Sequence, residues 1–200
     1  MKLILATRNR GKMSEFQALL ASQQIEIAPM PEAIHVEEDG ETYLENATKK
    51  AVACARSTGQ MCLADDSGIE IDALSGAPGV QSARFLNGAP DEEKCARILE
   101  MIQDSARRGA RFVIVLALAD PYRVHFTAQA EVAGEISTKS RGTCGFGYDP
   151  IFIPAGRTRT MAELAASEKN TLSHRARSVR ALERFLKYRD SISGGLDTRR

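Results

Sequence analysis

The sequence lacks most of the features that announce a specialised protein. Charge of one sign is missing, since 27 Lys and Arg face 26 Asp and Glu, for a net +1. That balance gives no electrostatic case for nucleic acid or a membrane surface as partner. Long hydrophobic runs are missing too. The longest, Phe112 to Ala119, has eight residues and cannot span a bilayer. The N-terminal MKLILATRNR turns polar too soon for a signal peptide. The four cysteines, Cys54, Cys62, Cys95 and Cys144, form no CxxC pair and no Cys–His cluster with zinc spacing. Cys54 and Cys62 sit in apolar surroundings and read as buried thiols of a reducing compartment rather than a disulfide. Repeats and internal linkers are absent, as are the Walker A pattern GxxxxGK[ST] and the DxD of aspartyl-phosphate enzymes. What remains, with 43% hydrophobic content, is expected to be a soluble, cytoplasmic chain. One domain is expected over residues 1–190, and residues 191–200 read as a flexible tail.

The stretch on which the rest converges is Cys62-Leu63-Ala64-Asp65-Asp66-Ser67-Gly68. Met61 to Ala64 reads as a buried strand, after which Ser67 and Gly68 turn the chain. Asp65 and Asp66 then lie at its C-terminal end, where open α/β sheets place ligands and metals. Adjacent strand residues point to opposite faces, so the two carboxylates should do different jobs. An Asx-turn at a strand end is the plain alternative. Upstream, Lys2 to Ala6 reads as a strand, Thr7-Arg8-Asn9-Arg10-Gly11-Lys12 as a polar loop, and Met13, Phe16, Leu19 and Leu20 as a helix face. Such a unit directs backbone amides and a helix dipole at an anion, and Lys12 adds a mobile charge. A capped helix with a solvated basic flank fits equally well.

Ile25 to Ala28 reads as a second strand, ended by Pro29 and Pro31. Thr42 and Glu45 have capping-box spacing and open a helix that Gly59 ends. Its apolar side is Tyr43, Leu44, Ala47, Ala51 and Ala55, and Asn46 and Lys50 share one face. The acidic run Glu37 to Glu41 is either a surface patch or the source of a carboxylate sharing a metal with the aspartate pair. Ile69 to Leu74 reads as a half-exposed strand, and Asp91 to Arg108 as a helix turning Ala96, Leu99 and Ile102 inward. Arg111 to Ala119 reads as a strand buried on both faces, paired as a hairpin with Arg123 to Ile136. Thr138 to Asp149 is a glycine-rich loop around Phe146 and Tyr148. Glycines let backbone approach a ligand and an aromatic can stack on a base, or the aromatics can simply fold into the core. Met161 opens a helix reaching about Lys169. Ser173 caps the last helix, running to Arg189, so that His174 and Arg175 lie at its start.

Taken in order, these pieces resemble the inosine triphosphate pyrophosphatase family of non-canonical purine nucleotide hydrolases. The matching motifs are Thr7-x-Asn9-x-x-Lys12, Glu37-Glu38-x-Gly40-x-Thr42 running into Glu45-Asn46-Ala47, and Ala64-Asp65-Asp66-Ser67-Gly68. Gly76-Ala77-Pro78-Gly79 with Ser82-Ala83-Arg84, and Gly145-Phe146-Gly147-Tyr148-Asp149-Pro150, follow. Ala162-Glu163-Leu164, Lys169 and Ser173-His174-Arg175 complete the series. The resemblance implies an α/β fold, a long, curved, mixed β-sheet flanked by helices with two lobes around a central active-site cleft. It also implies a homodimer that hydrolyses ITP, dITP and XTP to monophosphate and pyrophosphate with Mg²⁺. Under it Asp66 is the base and a metal ligand, with Glu37 or Glu38 as the second metal contact. Thr7, Arg8, Asn9, Arg10, Gly11, Lys12 and Lys50 would hold the phosphates, with Asp65 and Ser67 beside them. Phe146, Gly147, Tyr148, Asp149, Lys169, His174 and Arg175 would form the base pocket. A sensor that binds purine nucleotides without hydrolysis is the alternative use of the same cleft.

Overall fold

In the computed structural model, which describes residues 1–21 and 25–195, the elements are β1 (Lys2–Leu5), α1 (Arg10–Leu20), β2 (Glu26–Pro29), α2 (Tyr43–Thr58) and β3 (Cys62–Ile71). Then come a short α3 (Phe85–Gly88), α4 (Asp91–Met101), β4 (Gly109–Ala119), β5 (Val124–Ile136), β6 (Phe152–Pro154), α5 (Ala166–Leu172) and α6 (His174–Gly195). The strands form one mixed sheet in the order β2-β1-β3-β4-β5-β6. β2, β1 and β3 run parallel, while β3 to β6 pair antiparallel. An α/β fold with helices on both faces of a mixed sheet is as expected.

Three apolar clusters hold it together. Leu3, Leu5 and Leu63 pack on one face against Phe16 and Leu20 of α1 and Val179 and Leu182 of α6. Ile4, Cys62 and Ala64 pack on the other against Ala47, Ala51, Cys54 and Ala55 of α2. The far ends of β3 to β5 carry the third, where Ile69, Ile71, Phe112 and Val132 meet Cys95, Ile98, Tyr148, Phe152 and Met161. The capping box of α2 forms as expected, with Thr42 Oγ1 accepting from the Glu45 amide at 3.1 Å and Glu45 Oε2 accepting from the Thr42 amide at 3.1 Å. Gly59 ends the helix at φ 69°. Cys54 and Cys62 are buried free thiols, their sulfurs 3.0 Å apart.

Several local expectations differ from the fold. The aspartate pair is not at a strand end, because β3 continues through it to Ile71. The reason is β4, which pairs residue for residue with β3, placing Asp65 opposite Leu116, Asp66 opposite Val115 and Gly68 opposite Val113. The parallel neighbour β1 stops sooner, at the Leu5–Leu63 pair. The two carboxylates therefore sit in mid-strand but just beyond the end of β1. Residues Asp72–Leu74 form a 3₁₀ turn rather than strand.

α4 ends at Met101, not Arg108, whose guanidinium instead donates to the carbonyls of Ile102, Ile136 and Ser137. Leu99 and Ile102 turn inward as expected, joined by Lys94, Cys95 and Ile98, while Ala96 faces solvent. Leu44 of α2 is also on the solvent side, 49% exposed. The helix expected from Met161 breaks at Leu164 and Ala165, whose extended backbone separates a 3₁₀ turn from α5. α6 passes Arg189 and runs through Gly195, with Ser191 Oγ donating to the Tyr188 carbonyl at 2.7 Å. It thus enters the stretch expected as tail. Residues 196–200 lie outside the described residues.

Candidate active site

A cleft of about 360 Å³ opens where β1 ends, bounded by the loop into α1, the loop before α2, the middle of β3, the loop Phe146–Asp149 and the start of α6. That volume suits a small-molecule ligand. Of the expected residues, Thr7, Arg8, Asn9, Lys12, Glu38, Lys50, Asp66, Ser67, Phe146, Gly147, Tyr148, Asp149, Lys169, His174 and Arg175 line it. Glu37 and Arg10 are exposed and off its wall. Gly11 lies under Phe146, where a Cβ would come 2.4 Å from the ring.

The two adjacent aspartates do divide their surroundings. Asp65 shares a face with Leu63 and is fully buried. Lys12 Nζ lies 2.8 Å from its Oδ2, with Arg175 at 3.9 Å, and the Ser67 hydroxyl donates to it at 3.3 Å. Burial alone would raise the Asp65 pKa, but Lys12 and Arg175 outweigh it and hold the carboxyl well below its usual range. Burial pulls Lys12 downward, against the attraction of Asp65.

Asp66 faces α2. Asn46 Nδ2 donates to its Oδ2 at 2.9 Å, and the Ser67 amide donates to its Oδ1 at 2.9 Å. Asn46 also accepts from the Gly40 amide at 2.8 Å, tying the acidic loop to this carboxylate. Burial raises the Asp66 pKa, with Lys50 and the Asn46 bond opposing. Glu38 Oε1 accepts from Lys50 Nζ at 2.7 Å, and Arg84 donates to the Glu38 carbonyl. Asp66 and Glu38 are therefore the two acids that the fold presents to the cleft near α2. Among the described residues no cluster of three or more His, Cys, Asp or Glu could itself hold a metal ion.

The loop after β1 serves two ends. Asn9 Oδ1 accepts from the Lys12 amide at 3.0 Å, so this side chain is spent as the cap of α1. Thr7 Oγ1 accepts from the Asn9 amide at 3.2 Å. Arg8 donates to the carbonyls of Glu32 at 2.6 Å and Ile34 at 2.8 Å, holding the loop before α2 over the cleft.

At the opposite end the network centres on a residue with no sequence signal, Glu15 of α1. It pairs with Lys169 at 2.7 Å and with Arg175. Burial would raise its pKa, but Arg175 and Lys169 beside it lower it. Lys169 also pairs with Asp149, whose Oδ2 accepts from the Phe146 amide at 2.9 Å. Burial raises the Asp149 pKa against the pull of Lys169. The Phe146 ring has Lys169 Nζ 5.1 Å and Arg175 Cζ 5.4 Å from its centroid. His174 stacks on Phe112 at 4.9 Å between centroids. Burial and the neighbouring Arg175 put its pKa well below the ordinary value, so the ring is neutral. Its Nδ1 and the Nε of Arg175 are buried without a partner among the described residues. Asn46, Ser82, Asp91 and Lys94 were missed as well. Asn46 left a trace in its helical spacing from Lys50, and Ser82 in the Ser82-Ala83-Arg84 motif.

The arrangement can bind a polyanion at Lys12 and Lys50, hold a carboxylate against it, and seat an aromatic base on Phe146. Comparisons with known proteins agree in kind. The model of the Ham1 family matches residues 3–185. The dITP/XTP pyrophosphatase of Gloeobacter violaceus is 48% identical over 180 residues, covering 90% of this chain and 91% of that protein. The dITP/XTP pyrophosphatase of Desulforamulus reducens is 45% identical, covering 90% of this chain and 92% of that protein. Among solved structures, the HAM1 protein of Coxiella burnetii superposes with a TM-score of 0.83 at 39% identity, covering 94% of this chain and 99% of that one.

Proposed function

The chain belongs to the Ham1 family, and we propose that its cleft hydrolyses the non-canonical purine nucleotides ITP, dITP and XTP to the monophosphate and pyrophosphate. The observation that carries the assignment of roles is the split environment of Asp65 and Asp66. Asp66 is aimed into the cleft by Asn46 and the Ser67 amide and is free to work as a base. Asp65 is fully buried, and its task is to position Lys12 and Arg175. Water attacks the α-phosphorus while Asp66 takes its proton. The bond from the α-phosphorus to the bridging oxygen breaks, and that oxygen leaves with the pyrophosphate. Lys12 and Lys50 balance the charge that develops there.

Asp66 and Glu38 supply two carboxylates, which suits a divalent cation that takes its other oxygens from phosphates and water, as Mg²⁺ commonly does. That ion would neutralise the triphosphate and polarise it toward attack. Glu37, exposed and off the wall, is not part of this reading. Homodimeric assembly and a cytoplasmic location belong to it as expectations. Among the described residues no helix is long and apolar enough to cross a membrane.

Selection of the base follows from the unpartnered donors. The Arg175 Nε–H and a proton on His174 welcome a 6-keto oxygen, whereas the 6-amino group of adenine would leave donor facing donor. A stranded buried donor costs about 1–3 kcal/mol, or roughly 5- to 150-fold. The test is pyrophosphate release from ITP, dITP, XTP, GTP and ATP with Mg²⁺. Rates on ATP equal to those on dITP would overturn the pocket argument, and no release from any of them would overturn the activity.

A further inference from the structure

Lys94 is a buried cation on the cleft wall that the reaction above does not use. It sits in the first turn of α4, on the side facing inward, and its side chain is 8% exposed. The wall around it is stitched from three segments. Asp91 Oδ2 accepts from the Gly147 amide at 2.6 Å, and Cys95 Sγ donates to the Gly147 carbonyl at 3.5 Å. The Tyr148 hydroxyl donates to the Ser82 carbonyl at 2.8 Å. Inside this frame Lys94 Nζ makes one hydrogen bond, to the Ala83 carbonyl at 2.9 Å, and its nearest carboxylate oxygen, on Asp91, lies at 3.9 Å. An ammonium carries three donors, so Lys94 has donors to spare for a ligand. Lys169, by contrast, is already paired with both Glu15 and Asp149.

Two of the proposed substrates differ in a way that such a cation reads. Hypoxanthine is neutral and has one keto group. Xanthine has a second keto group at position 2 and loses a ring proton near neutral pH, so that edge of the base carries negative charge. We propose that Lys94 is a specificity-determining residue that favours the anionic xanthine base of XTP over the hypoxanthine of dITP, by donating to the edge that carries the 2-keto group. The inference rests on the pyrophosphatase reading and adds a ranking within it. A hydrogen bond between charged partners is about twice as strong as a neutral one, and hypoxanthine offers no such partner at position 2.

The experiment measures kcat/KM for XTP and dITP on the wild type, Lys94→Gln and Lys94→Arg, from pH 5 to pH 8. In the wild type the XTP to dITP ratio rises with pH as xanthine ionises. In Lys94→Gln the ratio falls about tenfold at neutral pH and its pH dependence flattens, and Lys94→Arg restores both. The titratable groups around Lys94 are Asp91 and Cys95 on α4 and Tyr148 and Asp149 on the facing loop. All four are retained in Lys94→Gln, so a pH dependence of the ratio that survives that substitution does not come from Lys94. An unchanged ratio in Lys94→Gln, or a parallel loss on both substrates that Lys94→Arg does not reverse, overturns the proposal and leaves the pyrophosphatase reading standing. Failure of the wild type to release pyrophosphate from either substrate overturns that reading, and the ranking with it.

Discussion

Replacing Asp65 with Asn tests the claim that this carboxylate holds the site together rather than reacting. Asp65 is fully buried, 2.8 Å from Lys12 and 3.9 Å from Arg175. Removing one member of a buried ion pair leaves its partners charged and uncompensated, at a cost of about 3–5 kcal/mol. For a domain of this size each kcal/mol moves Tm by about 2–4 °C, so the expected loss is roughly 6–20 °C. The dependence on pH has a definite sign. The folded carboxyl is held well below its ordinary pKa, so its contribution is complete above about pH 4 and is lost as pH falls through the folded value. The gap between wild type and variant should thus be constant at neutral pH and shrink in acid. Calorimetry of the wild type, Asp65→Asn, Lys12→Met and the double variant reads it, the double variant losing less than the sum of the two singles. A Tm loss under 3 °C at neutral pH, or additive single losses, would refute the reasoning.

Two further changes probe the frame. Gly68→Ala brings a Cβ within 2.1 Å of the Gly79 carbonyl and 2.6 Å of Ser82 Oγ. Backbone cannot yield cheaply there, so urea unfolding should show a loss of about 1–3 kcal/mol or more. Glu15→Gln removes the shared partner of Lys169 and Arg175; steady-state kinetics should show a several-fold rise in KM for dITP with kcat little changed, and a fall in kcat alone would contradict its placement in the base pocket.

The local chemistry of the chain was legible. The Thr42–Glu45 box, Gly59 closing α2 and the β4–β5 hairpin each depend on residues close in sequence, and each formed as expected, while the loop after β1 took the capped-helix alternative through Asn9. What was not legible depends on distant partners. The length of β3 is set by its pairing with β4, some way along the chain, so a turn-like Asp-Ser-Gly became mid-strand. Glu15 is a plain acidic helix residue until Arg175, 160 positions later, is folded onto it. At α4, Leu99 and Ile102 turn inward as expected, but the buried face also takes in Lys94, a residue that a hydrophobic pattern assigns to solvent, and leaves Ala96 outside. In the acidic run, both glutamates had the right chemistry, but only Glu38 meets Lys50. The order of the motifs carried the family, while the division of labour among their residues needed the fold.

The central claim is that Asp66, held by Asn46 and Ser67 and facing the cleft, takes the proton from the attacking water. Asp66→Asn keeps the shape and one of the two accepted hydrogen bonds, its NH₂ facing the other donor, while removing the base. Single-turnover pyrophosphate release from dITP with Mg²⁺, measured beside equilibrium binding of dITP, tests it directly. The expected result is a loss of kcat of about 10²–10⁴-fold with binding retained. Turnover in Asp66→Asn within a few-fold of the wild type would contradict it.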